Sequence, residues 1–236
     1  MAITKYYQER NLASRISSWG KAGVFYSFVP KVFFDALYFP FKIVFNAFSF
    51  LEVEGKENLE NLSGPLIIAS SHGSWIDPIL IAVAFPFNSR VFPIHYATLW
   101  KYYYFPLFTP LIWLAGGFPV RKRIGLDKAL AVPEEILELG GVVGIFPTGK
   151  RVRKWNENEA PRARRGAAYL AEKTGVAVLP VKIEGNIGMN FKSFLMKKYR
   201  IKLKFGKVFS LPPRAMHSPE DLNEPTDYIM ERITRM

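Results

Sequence analysis

The chain has 236 residues, with 32 lysines and arginines against 20 acidic residues, three histidines and no cysteine. That length allows one large α/β domain and an appendage without disulfides. Missing cysteine excludes thiol catalysis and thiolate metal sites, and His72, His95 and His217 offer no zinc-like spacing, so no bound metal or cofactor is expected. The formal charge of +12 calls for an anionic partner, either nucleic acid or a membrane surface.

Residues 1–15 are polar and lack an apolar segment followed by a small-residue cleavage site, so no secretory signal is expected. Between 20 and 50 the sequence becomes aromatic and basic, with Phe25, Phe33, Phe34, Tyr38, Phe39 and Phe45 among Lys21, Lys31 and Lys42. Pro30, Pro40, Lys31, Asp35 and Lys42 interrupt the run, leaving no stretch of about 20 apolar residues for a transmembrane helix. Two helices lying in a membrane interface are predicted, an apolar face sunk among headgroups and basic residues toward anionic lipid. The competing reading packs the same aromatics on the core as a helical hairpin.

The first strands are expected over 51–54 and 66–70, the latter a short apolar run after a Ser-Gly-Pro turn signal. His72 then leaves the carboxyl end of a buried strand, the edge of an open α/β sheet where ligands bind. Asp77 follows five residues later. A neutral imidazole accepts a hydroxyl proton near neutral pH when a partner holds its other nitrogen, so His72 and Asp77 are a candidate general-base pair. Asp77 also precedes Pro78 and an apolar helix pattern, and is predicted to be that helix's N-cap.

Farther on, His95 sits in a strand or loop without an assigned role, and the aromatic run from Trp100 to Trp113 suits an acyl-chain path, a membrane face or plain core. Residues 126–139 have helical spacing and end at Gly140-Gly141, with Pro133 expected to kink the helix or start another. A strand over 142–146 leads into Gly144-Ile145-Phe146-Pro147-Thr148-Gly149-Lys150, which fits Gly-x-x-x-x-Gly-Lys. Arg151 stands where a P-loop needs Ser or Thr, and the following charged residues read as a loop, so nucleotide hydrolysis is not expected. A short helix over 166–173 and strands over 177–182 and 200–209 complete one continuous domain. The elements predict an α/β fold: a single central mixed sheet flanked by helices, with an N-terminal helical membrane-binding hairpin.

Four blocks of this sequence resemble the glycerolipid acyltransferase superfamily, typified by 1-acylglycerol-3-phosphate acyltransferase, over roughly residues 50–210. The first is the histidine, four residues and aspartate of His72 and Asp77, with Ser74 two after the histidine. The family's next block, a glycine, apolar residues and then a basic residue, is matched by Gly116-Gly117-Phe118-Pro119-Val120-Arg121-Lys122-Arg123. The third, usually Phe-Pro-Glu-Gly-Thr-Arg, stands here as Phe146-Pro147-Thr148-Gly149-Lys150-Arg151. The fourth is the apolar strand Val178-Leu179-Pro180-Val181. Thr148 and Lys150 depart from the usual glutamate and threonine, which makes the local charge more positive by about two units and suits a more anionic acceptor.

The expected organisation is an interfacial helical segment over 1–50, read from its aromatic and basic composition, the acyltransferase α/β domain over 51–215 that the resemblance implies, and a C-terminal helix over 216–236 packed on it. It implies transfer of a fatty acyl group from a thioester, acyl-ACP or acyl-CoA as co-substrate, to the hydroxyl of a lysophospholipid such as 1-acylglycerol-3-phosphate. His72 would take the hydroxyl proton, Asp77 would orient the ring, and nearby backbone N–H groups would hold the oxyanion. Arg151, with Arg121 or Arg123, would grip the acceptor phosphate, Lys150 and Arg153 being lesser choices. Ser74, Thr148 and Gly149 would position substrate. The expected partners are anionic membrane lipids, acyl carrier protein or a coenzyme A thioester, and the lysophospholipid, without nucleic acid, at the cytoplasmic face of the cell membrane. The alternative is a lipid-binding relative without turnover, motivated by Thr148.

Overall fold

The computed structural model describes residues 20–99, 109–120, 124–152, 161–189, 191–196, 199–212 and 219–236. In chain order they form helix α1 (Gly20–Phe48), strand β1 (Phe50–Glu54), β2 (Leu66–Ser70), α2 (Asp77–Ala84), β3 (Ile94–Leu99) and α3 (Thr109–Leu114). There follow β4 (Phe118–Val120), α4 (Leu126–Glu138), β5 (Val142–Ile145), α5 (Gly166–Thr174), β6 (Val178–Glu184), α6 (Phe191–Leu195), β7 (Arg200–Phe205) and α7 (Asn223–Thr234).

The strands make one mixed sheet of seven in the order β1-β7-β6-β2-β5-β3-β4. Strands β6, β2, β5, β3 and β4 are mutually parallel, while β7 runs antiparallel to β6 and carries β1 beside it. The carboxyl ends of the five parallel strands therefore share one edge. Every residue of β2 is buried, as expected of a central parallel strand covered on both faces, which is why its sequence is continuously apolar rather than alternating. Ile68 faces the cluster containing Leu80 and Ile81 of α2, whereas Ile67 and Ala69 face the cluster built from α4, α5 and α7. Two helical layers thus clamp the sheet and hold its edge still.

Some elements differ from expectation. The two helices predicted between 20 and 50 are one continuous helix, α1, with Pro30 and Pro40 inside it. Its side chains divide between the two readings weighed for them. Tyr38 and Phe45 are buried, and the Tyr38 hydroxyl donates to the Phe85 carbonyl at 2.9 Å. Phe28, Val32, Phe39 and Ile43 remain exposed, a stripe along one side of the helix. Helix α4 continues through Pro133 rather than giving way to a second helix there, and Leu130, Pro133 and Leu137 form its buried face. Strand β6 extends to Glu184, beyond the predicted Lys182, whose buried ammonium is satisfied by the Thr234 carbonyl at 3.0 Å and by Glu184 at 3.0 Å. The carbonyl partner follows from α7 lying across β6. Strand β4, a three-residue edge strand inside the Gly116–Arg123 block, carried no sequence signal strong enough to foresee.

Candidate active site

Ser71 continues the ladder beyond β2, its N–H donating to the Val181 carbonyl at 3.0 Å and its Oγ accepting from the Ile183 N–H at 2.7 Å. The next residue, His72, is therefore delivered to the sheet edge from a fixed backbone. The chain then turns tightly into α2, and the Asp77 carboxylate folds back over that turn. Its Oδ2 accepts from His72 Nδ1–H at 2.8 Å, from the Gly73 N–H at 2.9 Å and from the Ser74 N–H at 3.0 Å. Its Oδ1 accepts from Asn186 Nδ2 at 2.6 Å.

This corrects the expectation that Asp77 caps α2. The N-cap position belongs to Ile76, no side chain caps the helix, and Asp77 is itself helical. The carboxylate reaches upstream to the turn because a fully buried charge needs every donor available, and four converge on it among the described residues. The same contacts occupy the two amides just past His72, so an oxyanion must find its donors elsewhere. His72 Nδ1 being engaged, Nε2 has no protein partner among the described residues, and the side chain retains 18% of its exposure. That is the arrangement of a histidine base held from behind by a carboxylate.

The third block reaches the same place from β5. Phe146 stacks on the imidazole of His72, with centroids 4.0 Å apart and planes 17° from parallel, and Tyr96 of β3 also stacks with Phe146, at 5.7 Å. Gly144 makes room for this column, since a Cβ there would lie 2.2 Å from the Tyr96 ring. Burial pushes the Tyr96 hydroxyl well above the ordinary tyrosine range, and the Asp77 charge pushes the same way, so it stays protonated. The Val152 N–H donates to the His72 carbonyl at 2.7 Å and ties the far end of the loop to the first block.

Gly149 adopts φ 61°, and a Cβ there would meet Arg164 Cδ at 2.5 Å, so the bare backbone lets the arginine stem lie across the loop. The Arg164 N–H donates to the Pro147 carbonyl at 2.7 Å. Lys150 and Arg151 are exposed on the same turn. The hydroxyls of Ser74 and Thr148 are buried, and Thr148 Oγ1 donates to the Lys150 carbonyl at 2.8 Å. Any positioning by Thr148 passes through the backbone it holds, whereas Ser74 Oγ has no hydrogen-bond partner among the described residues. No helix starts at Lys150-Arg151-Val152, so the P-loop pattern lacks its structural context.

The structure thus brings His72, Ser74, Asp77, Thr148, Gly149, Lys150 and Arg151 to one sheet edge. Strand β4 ends at Val120 on that edge. Arg121, Arg123 and Arg153 lie outside the described residues, as does the aromatic segment 100–108. Sequence reasoning missed Asn186 and Phe146 as partners of the pair. Asn186 follows the fourth block by only a few residues, and Phe146 opens the third, but neither position reveals which side chain it will touch.

A family model described as acyltransferase matches residues 50–184, which include His72, Asp77, Phe146, Lys150 and Arg151 and end two residues before Asn186. The chain belongs to the acyltransferase family. As an O-acyltransferase it is similar to the 1-acyl-sn-glycerol-3-phosphate acyltransferase of Bacillus subtilis (strain 168), 26% identical over 196 residues that span 83% of this chain and 92% of that protein. It is also similar to the chloroplastic 1-acyl-sn-glycerol-3-phosphate acyltransferase LPAT1 of Arabidopsis thaliana, 26% identical over 68% of this chain and 41% of that one. In fold it matches the crystal structure of the 1-acyl-sn-glycerophosphate (LPA) acyltransferase PlsC from Thermotoga maritima, with TM-score 0.61, 22% identity and coverage of 99% and 96% of the two chains. Among its described residues the acyltransferase has no helix long and apolar enough to cross a membrane.

Proposed function

We propose that this acyltransferase moves a fatty acyl group from a thioester, on acyl carrier protein or coenzyme A, to the free hydroxyl of a lysophospholipid such as 1-acylglycerol-3-phosphate, giving phosphatidic acid. The observation that carries the reading is the His72 imidazole held at Nδ1 by buried Asp77, with Nε2 unengaged among the described residues, beside a loop bearing Lys150 and Arg151.

His72 Nε2 takes the proton of the acceptor hydroxyl as its oxygen attacks the thioester carbonyl, and Asp77 stabilises the imidazolium that forms. Collapse of the tetrahedral intermediate expels the thiolate, which leaves as thiol once it recovers that proton. Arg151, with Arg121 or Arg123, grips the acceptor phosphate, and Lys150 adds charge to the same turn. The chain works at a membrane surface, its α1 stripe among the lipids and its basic residues toward anionic headgroups.

The test is to incubate the purified protein with acyl thioesters and a panel of lysophospholipids and follow diacyl products by mass spectrometry. His72→Ala is expected to cut the product by about 10²- to 10⁴-fold while leaving vesicle binding intact. No product from the wild type on any acceptor would leave a lipid-binding relative as the better reading.

A further inference from the structure

Asn186 is fully buried and lies 109 positions from the carboxylate it touches. Its place is built by two glycines. Strand β6 ends at Glu184, and Gly185 turns the chain at φ 77° where a Cβ would sit 1.8 Å from the Arg200 carbonyl of β7. That tight passage directs Asn186 beneath α2. On the opposite side a Cβ on Gly73 would lie 2.6 Å from Asn186 Oδ1, so the amide packs against the bare backbone of the residue after His72. Its Oδ1 has no hydrogen-bond partner among the described residues, and the donation to Asp77 Oδ1 at 2.6 Å is the polar contact its side chain makes.

A buried amide that leaves its own oxygen unsatisfied is destabilising, and an apolar residue would fill the space without that cost. The geometry points to Asn186 as a positioning residue for the acyl transfer: its NH2 engages Asp77 Oδ1, so that Oδ2 is left to align His72 Nδ1–H and the carboxylate remains an acceptor. This rests on the reading of His72 as the base. Around Asp77 the titratable groups are His72 from the loop after β2 and Tyr96 from β3, and the amide after β6 supplies a donor that does not titrate.

Two substitutions at this position, Asn186→Leu and the near-isosteric Asn186→Asp, test the assignment in the full chain. Asn186→Leu removes the donor, so the buried carboxylate takes up a proton more readily. Its kcat should fall about 10- to 100-fold at neutral pH, with the acid limb of the kcat profile displaced to higher pH and the acceptor KM unchanged. Asn186→Asp donates only while protonated, so its kcat should instead decline on the alkaline side. Opposite displacements cannot arise from a uniform loss of folded protein, and Asn186→Asp settles the matter if the leucine variant does not fold.

A readout without turnover separates this inference from the proposed function. The downfield proton resonance of His72 Nδ1–H, recorded by NMR on the free protein, should be present in the wild type and weakened or shifted in both variants. If wild type makes no diacyl product, the function falls while the resonance still reports the positioning. Unmoved profiles together with an unchanged resonance would overturn the role of Asn186.

Discussion

The imidazole of His72 lies flat on the ring of Phe146, 4.0 Å from centroid to centroid. The contact joins the first and third sequence blocks through a shared ring face. It restrains the imidazole against rotation and puts a π face beside the positive charge that develops when Nε2 takes a proton. Replacing Phe146 by Leu keeps the apolar volume and removes the face, at a cost of about 1 kcal/mol in the transition state. We therefore expect kcat to fall about fivefold with both KM values unchanged. Phe146→Tyr should retain the rate; equal rates for the leucine variant and wild type would show the stack to be packing alone.

The third-block turn makes a separate prediction. Gly149 is left-handed at φ 61°, with Arg164 Cδ 2.5 Å from the position of a Cβ. Gly149→Ala must strain the backbone by about 1–3 kcal/mol and displace the arginine stem. A lower melting temperature and a raised acceptor KM are expected. Arg151→Ala should raise the acceptor KM more than the donor KM without the loss of stability, and equal effects on both substrates would speak against a phosphate grip.

Helix α1 separates membrane contact from folding. Phe28, Val32 and Ile43 are 60%, 48% and 66% exposed along one stripe, whereas Tyr38 and Phe45 belong to the core. Deleting residues 1–48 would remove both sets at once. Changing Phe28, Val32 and Ile43 together to serine removes up to about 1.5–3 kcal/mol of apolar insertion per side chain while sparing the core. Sedimentation with anionic vesicles should drop and the melting temperature should hold; unchanged partitioning would refute the membrane placement.

His95 gives the pH prediction. Burial lowers its imidazole below the ordinary 6.5, opposed by a hydrogen bond with the Gly116 carbonyl at 3.2 Å. The unfolded chain then binds the proton more readily than the folded one. Stability is full above about pH 6.5 and is lost as pH falls toward the depressed folded value. Thermal unfolding from pH 8 to pH 5 should show this decline in the wild type and a flatter slope in His95→Gln. Identical slopes would place the acid sensitivity in other groups.

The relation of His72 to Asp77 was legible in the chain because it is local: five residues crossing from strand to helix bring the two side chains into reach whatever lies beyond. The strand β2 was legible for a similar reason, since an apolar run bounded by turn residues needs no distant partner to be recognised. The two interfacial helices foreseen within 20–50, by contrast, rested on an apolar run interrupted by prolines and charged residues, whereas the segment is one helix whose Tyr38 and Phe45 pack on the core. The assignment of Asp77 as a cap failed likewise, because a buried charge is drawn to whichever donors surround it rather than to the nearest helix end.

Short-range chemistry was readable from residue type and spacing alone: a histidine and a carboxylate on one turn, a glycine in a basic loop and an aromatic N-terminal segment. That β6 and β5 flank β2, so that Asn186 reaches Asp77 while Phe146 covers His72, emerges with the assembled fold. Strand order is set by how two apolar faces are shared among all the helices, a global balance that no single segment records, and the side chains that hold the base are placed by that order.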